Sequence, residues 1–421
     1  MGCAKNTADS EHLTARLEAL GHEITDNASG SDIAIINTCG FIQDAVKENI
    51  DAILDLETLK ADGIIKQIIV AGCLVNRYEK ELREELPSID LFVRSEEWDK
   101  VISFLGGKTS TNCPPISHAI NNNYWSRYLK ISEGCNTLCS YCAIPSIRGK
   151  LRSVPLKTLI DEALMLCTAG AKELCLVGQD LTVYGQDIGT DLRTLIHALN
   201  DELPAGTWLR LLYLHPNRTD KALIDFLMSQ DKVLHYLDVP IQHADPEILS
   251  RMNRPSPTGH MQEIFRYIRS IDPLFALRTT IMTGFPGETE KNFRQVMDFV
   301  SDIEFDRLGA FVYSPEEGTR AAEFPEQVSR DTAEDRCARL MELQAEISQD
   351  RSEMFIGSDI DVLVEEIDEE SGEVWGRSFR DAPEVDGLVC VSGSAELGDM
   401  IRAKIYDCNE NDLFGEVIND D

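Results

Sequence analysis

Short apolar runs alternate with amphipathic stretches along this chain, and the spacing of the apolar positions changes character twice. Residues 32–37 (DIAIIN) and 66–71 (KQIIVA) are brief runs rich in Ile and Val, the pattern of buried parallel strands. Between them, residues 46–59 set Ile50, Ile53 and Leu54 among acidic residues at helical spacing, and residues 10–20 read as an earlier helix. This alternation predicts a small doubly wound α/β domain over residues 1–106, with its functional edge at the carboxyl ends of the strands. Residues 107–123 are polar and proline-containing, a linker in which Cys113 is incidental.

From Trp125 the runs lengthen into repeated strand-helix units, with strands expected near 128–132, 173–178, 208–214, 234–239, 277–282 and 307–313. Six such units suit a partial (β/α)6 barrel over residues 124–352, whose chemistry would sit at the strand C-termini. A charged amphipathic helix over 332–351 carries Leu340, Leu343 and Ile347 on one face and leads to the last domain. Over 355–421 the period becomes two: short strands at 360–365, 373–377, 387–391, 399–405 and 413–418 suit a small OB-like β-barrel.

The candidate chemistry is in the cysteines. Cys135, Cys139 and Cys142 have the spacing C-x3-C-x2-C, close enough for one loop to wrap a single metal centre. Three thiolates on a cubane [4Fe–4S] cluster leave one iron open to a small molecule. A structural zinc site would want a fourth Cys or His, and Cys167 and Cys175 do not supply the usual close pair. A disulfide loop is the remaining alternative, although three neighbouring cysteines cannot all pair with one another. In the first domain Cys39 and Cys73 each follow a predicted strand, and Cys3 precedes the first helix, at intervals of 36 and 34 residues. Adjacent parallel strands lie about 4.8 Å apart, so these three can converge. Singly, each would read as a buried strand-end thiol.

Composition changes the picture in two respects. No apolar run approaches the roughly 20 residues that span a membrane, and the N-terminus lacks the apolar core of a secretion signal, so a cytosolic protein is expected. Twelve cysteines in that setting point to metal or redox chemistry. The net charge of −33 argues against a nucleic-acid partner, whose phosphates demand Lys and Arg, and favours a basic protein, although acidity for solubility is an equally common cause.

With Tyr141 directly before its last cysteine and strand-helix units after it, the C-x3-C-x2-C loop resembles the radical S-adenosylmethionine (SAM) superfamily. The resemblance implies that Cys135, Cys139 and Cys142 hold a [4Fe–4S] cluster whose open iron is chelated by the amino and carboxylate groups of SAM, which reduction then cleaves to a radical. The stretches around Cys3 (GCAKN), Cys39 (NTCGFI) and Cys73 (AGCLVNRY) resemble the N-terminal domain of the methylthiotransferases, and the tail resembles a TRAM domain. In that family a strand precedes the first cysteine, whereas this sequence begins beside it. The likeness implies a second [4Fe–4S] cluster on Cys3, Cys39 and Cys73, carrying the sulfur destined for the substrate. It further implies that Glu173 meets the SAM amino group, that Arg278 pairs with its carboxylate, that Gly284 permits close approach, and that Tyr141, Gly170 and Gln179 lie on the cofactor.

The stretches NTCGFI (37–42), CAIPSIRG (142–149) and DAPEVDG (381–387) are similar to the branch that modifies an aspartate of ribosomal protein S12, rather than the branch that modifies a transfer-RNA adenosine. The C-terminal 67 residues carry 4 basic and 19 acidic side chains, which fits a basic ribosomal protein as partner better than RNA. A low-potential donor such as flavodoxin or ferredoxin is also implied. The alternatives are the transfer-RNA enzyme and a non-catalytic iron-sulfur or zinc module.

Overall fold

The computed structural model describes residues 2–107, 125–254, 258–368 and 370–418. The expected linker, with Cys113, lies almost wholly outside the described residues. The chain opens with helix α1 (Ala4–Ala19) and continues through β1 (Ile33–Thr38), α2 (Gln43–Ala61), β2 (Gln67–Gly72), α3 (Cys73–Glu85) and β3 (Leu91–Val93). β1, β2 and β3 form a parallel sheet in that order, with Ile33 opposite Gln67 and Ile69 opposite Leu91. β2 is buried along nearly all its length, as its continuous apolar run requires. Three-residue β3 is too short to announce itself by pattern.

The second unit holds β4 (Ser126–Lys130), a small hairpin of β5 (Ser132–Glu133) and β6 (Arg152–Ser153), then β7 (Glu173–Val177), β8 (Trp208–Leu211), β9 (Tyr236–Asp238), β10 (Ala276–Thr283) and β11 (Arg307–Val312). Parallel pairing joins β4-β7-β8 and β9-β10-β11. The two halves meet through the parallel bridge of Leu209 with Val233 and the Leu214 N–H to the Asp238 carbonyl at 2.9 Å. All six expected strands are present in sequence order, and among the described residues β11 and β4 do not pair, which leaves the barrel open on one side. Alternate residues face opposite ways: Leu174, Leu176, Leu209, Leu211 and Leu237 join the large core beneath the surrounding helices. The inward set includes Tyr128, Cys175, Val177, Leu212 and Tyr236, and Ala8 of α1 and Ala382 pack against it. The first helix and the loop around Ala382 thus fill the side that the strands leave open.

After the helix Arg330–Glu353, strands β12 (Asp359–Ile367), β13 (Val374–Arg377), β14 (Val389–Ser392), β15 (Met400–Cys408) and β16 (Leu413–Val417) close into a barrel of order β12-β13-β14-β16-β15. It docks through buried charge. Glu173 takes Arg210 and Arg377, each at 2.6 Å, Arg278 takes Asp238 and Asp386, each at 3.2 Å, and Arg307 reaches Asp381 at 2.6 Å.

Candidate active site

The first cysteine triad is assembled by three element ends. Cys3 occupies the position before α1, where its carbonyl accepts the N–H groups of Asn6 and Thr7 at 2.7 and 3.1 Å. Cys39 follows β1, and Cys73 is the first residue of α3 directly after β2. The turn into α3 needs Gly72: its φ is +101°, and a Cβ there would stand 2.6 Å from the Thr38 carbonyl oxygen. Burial pushes the Cys73 thiol up to about 11 and also raises Cys39. Burial would raise Cys3 too, but Lys5, Arg148 and nearby backbone N–H groups outweigh it and hold that thiol below its ordinary value.

The second triad lies on the loop after β5. Burial raises Cys135 and drives Cys142 up to about 12. Both triads line one cavity of about 350 Å³, walled between them by Lys5, Phe41, Tyr141, Ile144 and Arg148 and, at the barrel strand ends, by Gln179, Asp180, Tyr213, His215 and Gln242. Arg148 spans the two domains: its Nε donates to Cys73 Sγ at 3.0 Å, and its other nitrogens reach Glu133 at 2.8 Å, Asp9 at 3.5 Å and Asn6. Arg254 lies beside the second triad, 3.7 Å from Cys139 Sγ. Several buried polar atoms have no partner among the described residues, namely Gln179 Oε1, His215 Nε2, Gln242 Oε1 and Arg254 Nε, and all four residues line this cavity.

The donor sets fit iron-sulfur clusters. Thiolates gathered in threes and half-buried or buried need a cationic centre to offset their mutual repulsion and desolvation, and such a cluster takes one thiolate per iron. Among the described residues no three Cys, His, Asp or Glu side chains are grouped as a single-ion site, which is what mononuclear zinc demands. The orphaned polar atoms along the barrel mouth suit a polar organic ligand beside the second triad.

The other expected cofactor contacts divide. Tyr141 and Gln179 line the cavity, and Gln179 Nε2 donates to Glu133 at 2.9 Å. Glu173 does not reach it. It begins β7, at the strand end away from the mouth, and both oxygens are consumed by Arg210, Arg377 and Ser126. Burial would raise that carboxyl, but Arg377 and Arg210 hold it at about 2. Arg278 likewise lies near the start of β10, spent on Asp238 and Asp386. Gly170 sits in the turn before β7, where its φ is +112° and its neighbour is Trp125. Gly284 has φ +76°, and a Cβ there would come 2.2 Å from Ala333 Cβ, so this glycine admits the helix Arg330–Glu353 rather than a cofactor. Sequence reasoning passed over Arg148 and Arg254. The signal for Arg148 was a charge directly after an apolar turn, Ile144–Ile147, that follows the cysteine loop.

Residues 1–94 match Uncharacterized protein family UPF0004, residues 129–300 the Radical SAM superfamily, and residues 356–418 the TRAM domain. A protein of Geobacter sulfurreducens described as ribosomal protein uS12 methylthiotransferase RimO is 41% identical, over 100% of this chain and 97% of that protein. The chain belongs to the RimO methylthiotransferase family. A RimO of Aquifex aeolicus is 39% identical over 99% of this chain and 95% of its own length. The fold of this RimO family member is also similar to a solved radical SAM methyltransferase, TsrM from Kitasatospora setae with cobalamin and a [4Fe–4S] cluster bound. There the TM-score is 0.55 at 14% identity, covering 73% of this chain and 72% of that one. As a RimO-type protein with a radical SAM domain, it is a sulfur-transferring radical SAM enzyme.

Proposed function

We propose that this chain attaches a methylthio group to the β-carbon of an aspartate in ribosomal protein uS12. The observation that carries the chemistry is the shared cavity, in which six thiols from two domains face one space. The substrate rests on the name that full-length relatives share. The C–H bond at that carbon offers neither an acidic proton nor a leaving group, so acids and bases alone cannot replace it. When bound, two [4Fe–4S] clusters and SAM supply the radical chemistry and the methylated sulfur that side chains lack. Cys135, Cys139 and Cys142 would hold the cluster that binds SAM, and Cys3, Cys39 and Cys73 the one that carries sulfur. Phe41, Tyr141, Ile144 and Leu214 contribute apolar wall beside the polar Lys5, Arg148 and Gln179, which limits the water around a reactive carbon centre. Gln179 and Gln242 offer buried amides that orient a polar ligand. Electrons would come from a low-potential carrier such as flavodoxin or ferredoxin.

Mass spectrometry of uS12 after anaerobic incubation with enzyme, SAM and reductant tests the substrate. A gain of one methylthio group on an aspartate is expected, and modified adenosine in transfer RNA with unmodified uS12 would falsify it. Replacing Cys139 by Ala should abolish both SAM cleavage, read as released 5′-deoxyadenosine, and product. Replacing Cys73 by Ala should spare the cleavage and stop sulfur transfer. Product persisting in that variant sinks the role given to the first triad.

A further inference from the structure

We infer that each cysteine triad has its own buried arginine, Arg148 against Cys73 and Arg254 against Cys139, and that these two guanidinium groups set the reduction potentials of the two clusters separately. The inference rests on the reading that both triads hold clusters. Arg148 is 3% exposed and donates through Nε to Cys73 Sγ at 3.0 Å. Arg254 is 9% exposed, with Nη1 3.7 Å from Cys139 Sγ and Nη2 donating to the Pro240 carbonyl at 2.8 Å. Among the described residues neither guanidinium donates to a sulfur of the other triad. Arg148 comes from the turn behind the second triad yet contacts the first, and Arg254 follows β9 and the helix Pro246–Arg251.

A cluster gains a negative charge when it takes one electron. A donor hydrogen bond and a fixed positive charge beside a ligand sulfur favour that reduced state, so each arginine raises the potential of the cluster it touches. Burial strengthens the effect, because little water intervenes to screen it. The two arginines are not equivalent. Arg148 is countered by Glu133 at 2.8 Å and Asp9 at 3.5 Å, whereas Arg254 makes no ion pair with a described residue. The field of Arg254 on its triad is therefore less cancelled, and its removal should have the larger effect. Such a device lets one low-potential donor address two clusters in one cavity unequally. Both arginines act through the clusters as positioning and tuning residues.

The experiment is an EPR-monitored redox titration of the anaerobically reconstituted holoenzyme without SAM. The Cys139→Ala and Cys73→Ala variants identify which signal belongs to which triad. Arg148→Met should lower the potential of the cluster on Cys3, Cys39 and Cys73 and leave the other in place. Arg254→Met should do the reverse, with the larger shift. Unmoved potentials, or equal movement of both clusters by either variant, overturn the inference. If Arg148→Met does not retain its iron, Arg148→Lys decides: recovered iron and potential support the charge role, and loss in both variants makes Arg148 merely structural. Iron analysis of the unmodified enzyme separates the two levels, since one cluster per chain refutes the two-cluster reading itself, while two clusters with unshifted variants refute only this inference.

Discussion

His215 sits at the cavity wall with its Nδ1 accepting the Asn217 N–H at 3.2 Å, which leaves the ring hydrogen on Nε2, buried and without a partner among the described residues. Burial, reinforced by the charges of Arg254 and Arg218, lowers its pKa to about 2. The unfolded chain therefore takes up a proton at this ring below about pH 6.5 while the folded chain does not. More protons on the unfolded state mean that stability falls as pH falls, by at most about 1.4 kcal/mol per pH unit from this group, and is fully present above about 6.5. Urea unfolding at pH 7 and pH 5.5 should show a smaller loss in His215→Gln than in the unaltered protein, and an identical loss in both would remove the ring as its source. At this scale the meeting of six cysteines at one cavity was legible because their spacing and flanking residues are distinctive. Glu173 and Arg278 were not, although the expected strands at 173–178 and 277–282 already put both residues at strand starts, away from where barrel chemistry sits. A charged residue in an apolar run reveals that it needs a partner, and nothing local reveals that the partners are Arg377 and Asp386, some two hundred and one hundred residues onward.

Helix α1 links two duties. Its start presents Cys3, and its Ala8, only 2% exposed, lies against the inner wall of the barrel with Tyr128, Val177 and Leu212. Buried Glu11 and Asp9 fix its rotation, with Glu11 pairing with Arg127 at 2.9 Å and Asp9 with Lys130. Enlarging Ala8 to Leu leaves no room for the added carbons and should cost about 1–3 kcal/mol. Because the helix can yield only by lifting from the barrel, the same change should lower iron bound at the first triad more than at the second. Iron content and the urea midpoint, measured together on Ala8→Leu and on the unaltered enzyme, test this. Unchanged iron with a lowered midpoint would separate the helix's packing from its placement of Cys3. The helix itself was legible from its later turns, but its docking was not, since an alanine carries no pattern and the barrel's open side is a tertiary fact. β1 and β2 were read from their Ile and Val runs, while β3 and the β5–β6 hairpin, with three and two residues per strand, are too short for any period to show.

The whole molecule carries a net charge of −33, and the C-terminal barrel concentrates it more than composition reveals. Of its four basic residues, Arg377 and Arg380 are buried toward the interior, where Arg377 meets Glu173 and Arg380 meets Ser352. The exposed pair, Arg402 and Lys404, face Asp361 at 3.2 Å and Asp359 at 3.7 Å on the neighbouring strand. The outward surface therefore offers carboxylates and almost no uncompensated cation, an arrangement that repels a phosphate backbone and steers a basic protein. Steering acts on encounter and is screened over about 10 Å at 0.1 M salt. For isolated uS12, kcat/KM should fall by about tenfold or more as salt rises from low to moderate concentration, while kcat at saturating substrate stays level because screening acts on the encounter and not on the bound complex. Replacing Asp359 and Asp361 together by Asn would free two cations on that face and should weaken the salt dependence. A kcat/KM indifferent to salt, or one that salt raises, would assign the acidity to solubility and leave the recognition of uS12 to shape at the cavity mouth.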